Sequence, residues 1–185
     1  MSYKQYDKNG NEINHMDLQA KKLWCKDGEK IEQAFVNKYG ENLQVQINPE
    51  KVQNPFAPDL IFNNEQLADL KTQNTPFFKA GSLYGIDPSY AVVFNQKDFI
   101  RYSEKYPNIL IYFWVEWHSV KFEMGSFVNE VEYVNGVWRI KFSDLKKVLS
   151  VAPLHSYQQR KYDTRGNAKS SFVLDIRHEF FERLL

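Results

Sequence analysis

Residues 109–117, ILIYFWVEW, form the longest apolar run in the chain. A run of this length suits a strand and falls far short of the ~20 apolar residues that a membrane-spanning helix needs. Its opening residues are apolar in succession, and successive strand side chains point to opposite faces. Such a strand has to be covered on both sides, which places it inside a sheet flanked by other layers. The segments around it are read for those layers.

Residues 27–40, DGEKIEQAFVNKYG, predict a helix. Asp27 serves as N-cap, Ile31, Ala34 and Phe35 form an apolar stripe, and Gly40 stands just past the end. NLQVQIN at 42–48 alternates as a strand. PDLIFN at 58–63 and QLADLKTQ at 66–73 predict antiparallel strands joined by a polar turn at Asn63–Glu65. A helical turn is expected after Thr75–Pro76. SYAVVFN at 89–95 reads as a strand and QKDFIRYSEKYP as a helix stopped by Pro107. EVEYVNGVWRIKF at 130–142 predicts a hairpin turning at Asn135–Gly136. Ser143 is expected to cap a short helix in SDLKKVLS. FVLDI and HEFFERLL predict a last strand and a last helix. The order is mixed α/β around one sheet.

With 43% hydrophobic and 16% aromatic residues, the 185-residue chain can bury one sizeable core without staples. Cys25 is the one cysteine, which excludes an internal disulfide and a cysteine-zinc site. The N-terminal segment lacks the apolar centre of a signal peptide, so a reducing cytoplasm is the expected compartment and no membrane the expected setting. Residues 1–20 are polar and expected to be loosely ordered. DKNGNEINHMDL within them resembles a calcium loop but has Glu12 where glycine is needed and Leu18 where glutamate closes the loop, so it reads as a turn. His15, His118, His155 and His178 show no metal-ligand spacing. No GxxxxGK loop implies a nucleotide cofactor, and no GxSxG turn presents a nucleophilic serine. A net charge of +1 leaves a polyanion partner unannounced, though local distribution matters more than the sum.

The chemistry concentrates in residues 57–73, APDLIFNNEQLADLKTQ. Alternation puts Asp69, Lys71 and Gln73 on one face of their strand and Leu70 on the other, toward the core. Asp59 lies on the neighbouring strand, within reach of Asp69. Two carboxylates on a half-buried surface repel each other, and a divalent cation removes the conflict. Oxygen ligands favour Mg²⁺, which keeps several waters and often takes only one or two carboxylates. One such water can become a nucleophile. Lys71 would orient it, deprotonate it or steady the developing charge, and the nearby cation is expected to lower the Lys71 pKa. The competing reading is a charged stripe that protects an edge strand from aggregation.

Pro58-Asp59 followed by Asp69-Leu70-Lys71 resembles the PD-(D/E)xK nuclease superfamily, whose motif lies on a β-hairpin. Gly28 and Glu32 match the Gly-x-x-x-Glu context of its upstream helix, and Gln73 resembles a polar position two residues past the lysine. The resemblance covers roughly residues 27–115. It implies a restriction-endonuclease-like α-β-β-β-α-β core, a central mixed sheet flanked by helices. The single nuclease-like domain would have its core at about 27–149 and a C-terminal extension at 150–185, with a β-hairpin and a helix as additions.

The activity implied is metal-dependent DNA endonuclease chemistry on duplex or branched DNA, with Mg²⁺ and with Mn²⁺ as substitute. Asp59, Asp69 and the backbone carbonyl of Leu70 would hold the ion. Glu32 would assist directly or through a water, with Glu29 the next choice, and Lys71 would be the catalytic lysine. If the chain is a restriction enzyme, a homodimer is expected. Substrate contacts are expected from Gln73 and Lys79, with Phe77, Phe78 or Tyr84 near the opening, and from Arg160, Lys161, Arg165 and Lys169 in a basic loop. The alternative is a non-cleaving nucleic-acid-binding or interaction protein that keeps the same fold.

Overall fold

The computed structural model describes residues 3–13, 21–157 and 170–185, and of residues 21–30 the backbone alone. In chain order the elements are β1 (Lys4–Tyr6), α1 (Lys21–Leu43), β2 (Val45–Ile47), β3 (Leu60–Phe62), β4 (Gln66–Gln73), α2 (Ala80–Tyr84), β5 (Ala91–Asn95) and α3 (Gln96–Lys105). Then follow β6 (Leu110–Glu116), β7 (Lys121–Met124), β8 (Phe127–Glu130), β9 (Asn135–Lys141), α4 (Phe142–Leu149), β10 (Leu154–His155), β11 (Ser171–Asp175) and β12 (Glu182–Arg183). A 3₁₀ turn, Pro49–Val52, links β2 to β3.

The main sheet has six strands in the order β12-β9-β6-β4-β3-β2. β4 runs parallel to β6, and the other neighbours are antiparallel, so the sheet is mixed. In the chain, α1, β2, β3 and β4 are followed by α2, β5 and α3 before β6, and these three elements form the crossover that bridges the parallel β4–β6 pair. Two three-stranded sheets, β1-β7-β8 and β10-β11-β5, flank it.

β6 is buried on both faces, as its sequence predicts. Leu110 and Tyr112 pack on one side with Phe35 of α1, Val45, Leu60, Ala68 and Leu70. Ile111, Phe113 and Val115 face the larger core, with Phe94, Tyr102 of α3, Phe142 and Leu145 of α4, and Leu174 of β11. The β4 alternation also holds: Leu70 enters the α1-side core, while Lys71 reaches Tyr102 on the α3 side. Asn63 and Asn64 turn the β3–β4 hairpin with φ of 50° and 63°, a region asparagine tolerates better than most residues.

The structure corrects several sequence expectations. Helix α1 begins at Lys21, so Asp27 lies inside it and is no N-cap. Gly40 is likewise helical; a Cβ there would stand 2.9 Å from the Val45 carbonyl oxygen, so the glycine admits β2 close to the helix. Asn135–Gly136 is not a hairpin turn but the start of β9, paired with Glu116 and Val115 of β6. The turn falls instead between β7 and β8, at Gly125 with φ 62°. Ser143 is the second residue of α4 rather than its cap.

HEFFERLL forms turns and β12 in place of a helix. Glu182 and Arg183 pair with Arg139 and Trp138, and Phe181 enters the main core. The open edge of β9 offers unpaired backbone groups, and satisfying them outweighs local helix propensity. At the other end, Lys4–Tyr6 pair with β7 rather than lying loose, while Asp7 Oδ1 accepts from the Asn9 and Asn11 N–H groups in the expected turn. Among the described residues, no helix is long and apolar enough to cross a membrane.

Candidate functional site

Asp59 stands one residue before β3. Leu60 pairs with Ala68, so the antiparallel register carries Asp59 across from Asp69. Asp59 Oδ2 accepts a 3.1 Å hydrogen bond from the Leu70 N–H, which fixes the carboxylate at the hairpin edge. Its Oδ1 meets Lys51 Nζ of the 3₁₀ turn. The same ammonium lies 2.6 and 2.7 Å from the two carboxylate oxygens of Glu32 on α1. Glu32 is therefore brought to Asp59, with Lys51 between them.

Asn48 holds that turn in place. It is buried, its amide donates to the Pro58 carbonyl at 2.9 Å, its side-chain oxygen accepts from the Glu50 N–H, and its own N–H donates to the Asp59 carbonyl. The turn is thus tied directly to the backbone of the strand that carries Asp59.

Asp69 is 2% exposed. Lys71 Nζ lies 2.7 Å from its Oδ2, so this buried oxygen is ion-paired with the lysine two residues on. Lys71 also donates to Asp98 Oδ2 at 2.7 Å and to the Tyr102 hydroxyl at 3.2 Å, both on α3. Arg101, on the same helix, lies 3.2 Å from Asp98 Oδ1 and 3.8 Å from Asp69 Oδ1, and donates to the Tyr102 hydroxyl. The cluster of Glu32, Asp59, Asp69 and Asp98 with Lys51, Lys71 and Arg101 holds four acids against three bases. Helices α1 and α3 cover the hairpin from its two faces, and the ion-paired side chains of the cluster other than Asp69 remain 16–30% exposed.

Burial pushes both carboxyls above their ordinary pKa. For Asp59 the nearby Glu32 adds to the rise and Lys51 opposes it. For Asp69 the charge of Lys71 opposes it. Burial also works against the Lys71 ammonium, but the carboxylates of Asp69 and Asp98 and the Tyr102 oxygen outweigh it, and the net pKa is well above the usual lysine value. With no cation at the site, these neighbours hold Lys71 protonated; the expected lowering belongs to the site with a divalent ion bound.

The remaining sequence candidates scatter. Gln73 shares the Lys71 face, but its side-chain amide is used on the backbone of β5, donating to the Val93 carbonyl at 3.0 Å and accepting from the Val93 N–H at 3.2 Å. It ties β5 to β4, which replaces the substrate contact expected of it with a structural one. Phe78 is core, and Phe77 packs with Ala80 and Tyr84 of α2. Lys79 stays exposed, its ammonium 5.9 Å from the Phe127 ring centre. Arg160, Lys161, Arg165 and Lys169 lie outside the described residues, as does the side chain of Glu29. Sequence reasoning missed Lys51, Asp98, Arg101 and Tyr102. The i, i+3 pair Asp98–Arg101 on α3 was a usable signal, since residues at that spacing are neighbours on one helix face.

Among the described residues no group of three or more His, Cys, Asp or Glu side chains is arranged to hold a metal ion. Mg²⁺ needs less, because one or two carboxylates with retained waters suffice. Asp59 and Asp69, facing each other across the hairpin, supply two carboxylates of that kind, each now paired with a lysine. Between Glu32 and Asp59 the resident cation is the Lys51 ammonium. Compared with known proteins, the chain matches no family model, no curated protein and no solved structure. The fold itself defines a mixed α/β protein built on a mixed six-stranded sheet.

Proposed function

We propose that the chain is a Mg²⁺-dependent nuclease of restriction-endonuclease-like fold that hydrolyses phosphodiester bonds, DNA being the expected substrate. The observation that carries this reading is the register that sets Asp59 across from Asp69, with Lys71 on the same strand and face as Asp69. The succession α1, β2, β3, β4, then a crossover through α2, β5 and α3 to a parallel β6 supports it. Asp59 and Asp69 would hold the ion with the Leu70 carbonyl, and Glu32 would assist. Bound there, Mg²⁺ supplies a more acidic water and neutralises phosphoryl oxygens.

The chain's own groups do the rest. The Leu70 N–H keeps Asp59 aimed along the hairpin edge. Asp98 and Tyr102 hold the Lys71 side chain in place by hydrogen bonds, positioned to stabilise negative charge that grows on the phosphoryl group in the transition state. Arg101, 30% exposed, is a second positive group for a substrate phosphate.

One observation favours the reading of a non-cleaving nucleic-acid-binding or interaction protein: each of the four carboxylates already has a cationic partner within 4 Å. Incubating purified protein with linear, circular, branched and single-stranded DNA, and with RNA, separates the two. Cleavage in Mg²⁺ or Mn²⁺ that stops with EDTA supports the enzyme and identifies its substrate class. Intact products on every substrate, with retention of nucleic acid in a binding assay, support the second reading.

A further inference from the structure

We infer that Lys51 is a built-in stand-in for a divalent cation, bridging Glu32 and Asp59 until an arriving metal ion displaces it. The inference deepens the nuclease reading and rests on it, since it concerns how the same site is regulated.

Three features carry it. An ammonium has three N–H donors, and Lys51 spends all three on oxygens: both of Glu32 and Oδ1 of Asp59. It is thus coordinated wholly by carboxylate oxygens drawn from two elements far apart in sequence, as a bound ion would be. Next, the ammonium is detachable. Lys51 sits on a short 3₁₀ turn, beside Val52 and Phe56, which are 89% and 75% exposed, and that turn buries no residue of its own. Swinging its side chain away breaks no core packing. The turn itself stays anchored through Asn48.

The third feature is charge. With Lys51 in place the cluster holds four acids against three bases; with Lys51 withdrawn it holds four against two, Lys71 and Arg101. The withdrawn state leaves an excess of two negative charges, which matches a divalent ion. Asp69, across from Asp59 and paired with Lys71 through Oδ2, is the next carboxylate along the hairpin. The released ammonium, carried on an exposed turn beside the hairpin, is then placed to meet a backbone phosphate.

Mn²⁺ binding measured by electron paramagnetic resonance, with no nucleic acid present, tests this on Lys51→Gln and Lys51→Arg, with folding checked by circular dichroism. Removing an intramolecular competitor held by at least one charge-assisted bond, each worth about 1.5–3 kcal/mol, tightens Mn²⁺ binding by at least about tenfold in Lys51→Gln. Lys51→Arg, which keeps a cation there, stays close to wild type. A second measurement uses the wild-type chain: labelling of Lys51 with an amine reagent, read by mass spectrometry, rises when Mn²⁺ saturates the site.

Mn²⁺ affinity in Lys51→Gln that equals or falls below wild type overturns the inference. So does Lys51 labelling indifferent to Mn²⁺, which decides the matter if the variant does not fold, and so does absence of Mn²⁺ binding in every form. The nuclease reading fails separately. Tighter Mn²⁺ binding without cleavage keeps the stand-in and rejects the enzyme, whereas cleavage with an indifferent Lys51 does the reverse.

Discussion

Replacing Lys71 with methionine removes the charge that sits between Asp69 and Asp98 while keeping most of the side-chain volume. Asp69 is 2% exposed and would be left with only Arg101, at 3.8 Å. Breaking a buried ion pair by deleting one partner costs roughly 3–5 kcal/mol, because an uncompensated charge remains in a poorly solvated place. Arg101 also stays 3.2 Å from Asp98, which keeps that acid paired and puts the expected loss at the low end, about 3 kcal/mol. In a domain of this size that is a fall in Tm of about 6–12 °C. Urea unfolding at pH 7 in EDTA measures it without interference from metal. Exchanging the pair for apolar groups in Lys71→Met/Asp69→Leu should recover most of the loss, since the stranded carboxylate is gone. A loss below about 1 kcal/mol would mean that the pair behaves as a solvated surface bridge. A double variant as unstable as the sum of its singles would refute the coupling.

Gly136→Ala is expected to destabilise the protein by about 1–3 kcal/mol, because such close approaches force the neighbours to shift. Its Cβ would stand 2.6 Å from the Leu185 carbonyl oxygen and 2.8 Å from the Trp138 ring, and an unchanged melting temperature would contradict this. His155 bears on pH dependence: burial lowers its pKa, and its Nδ1 lies 2.7 Å from the Tyr84 hydroxyl. A folded-state pKa below that of the unfolded chain means that the unfolded chain binds more protons. Its contribution is therefore full above the unfolded value of about 6.5 and is lost as pH falls through the folded value. Urea midpoints should drop less between pH 7.5 and 5.5 in His155→Gln than in wild type, and an identical drop would count against that sign.

The hairpin was legible in the sequence because its information is local. QLADLKTQ became β4 with the bounds the alternation gave, and Leu70 turned to the core as the period-2 pattern requires. β6 announced its central place through the same rule. What escaped was set by distant partners. Gly136 looked like a turn residue, yet its freedom from a side chain is needed where Leu185 and Trp138 approach. HEFFERLL has a helical stripe, but the edge of β9 recruits Glu182 and Arg183 as a strand. Within the site, Lys51 lay unseen in a proline-containing turn. Its role comes from folding that turn against α1, and nothing in its neighbours' spacing states that. Glu32 was legible as a candidate, but its link to Asp59 through a lysine was not.

Under the proposed function, Asp59 and Asp69 form a metal-dependent phosphodiester-cleaving site. The most direct measurement is the initial rate of supercoiled DNA nicking in Mg²⁺ by the wild-type chain and by Asp69→Asn, both shown to be folded. The account predicts EDTA-sensitive nicking by wild type and a loss of about a hundredfold or more in Asp69→Asn, the scale of removing one preorganised electrostatic group. Equal rates in the two proteins, or nicking that persists in EDTA, would contradict it.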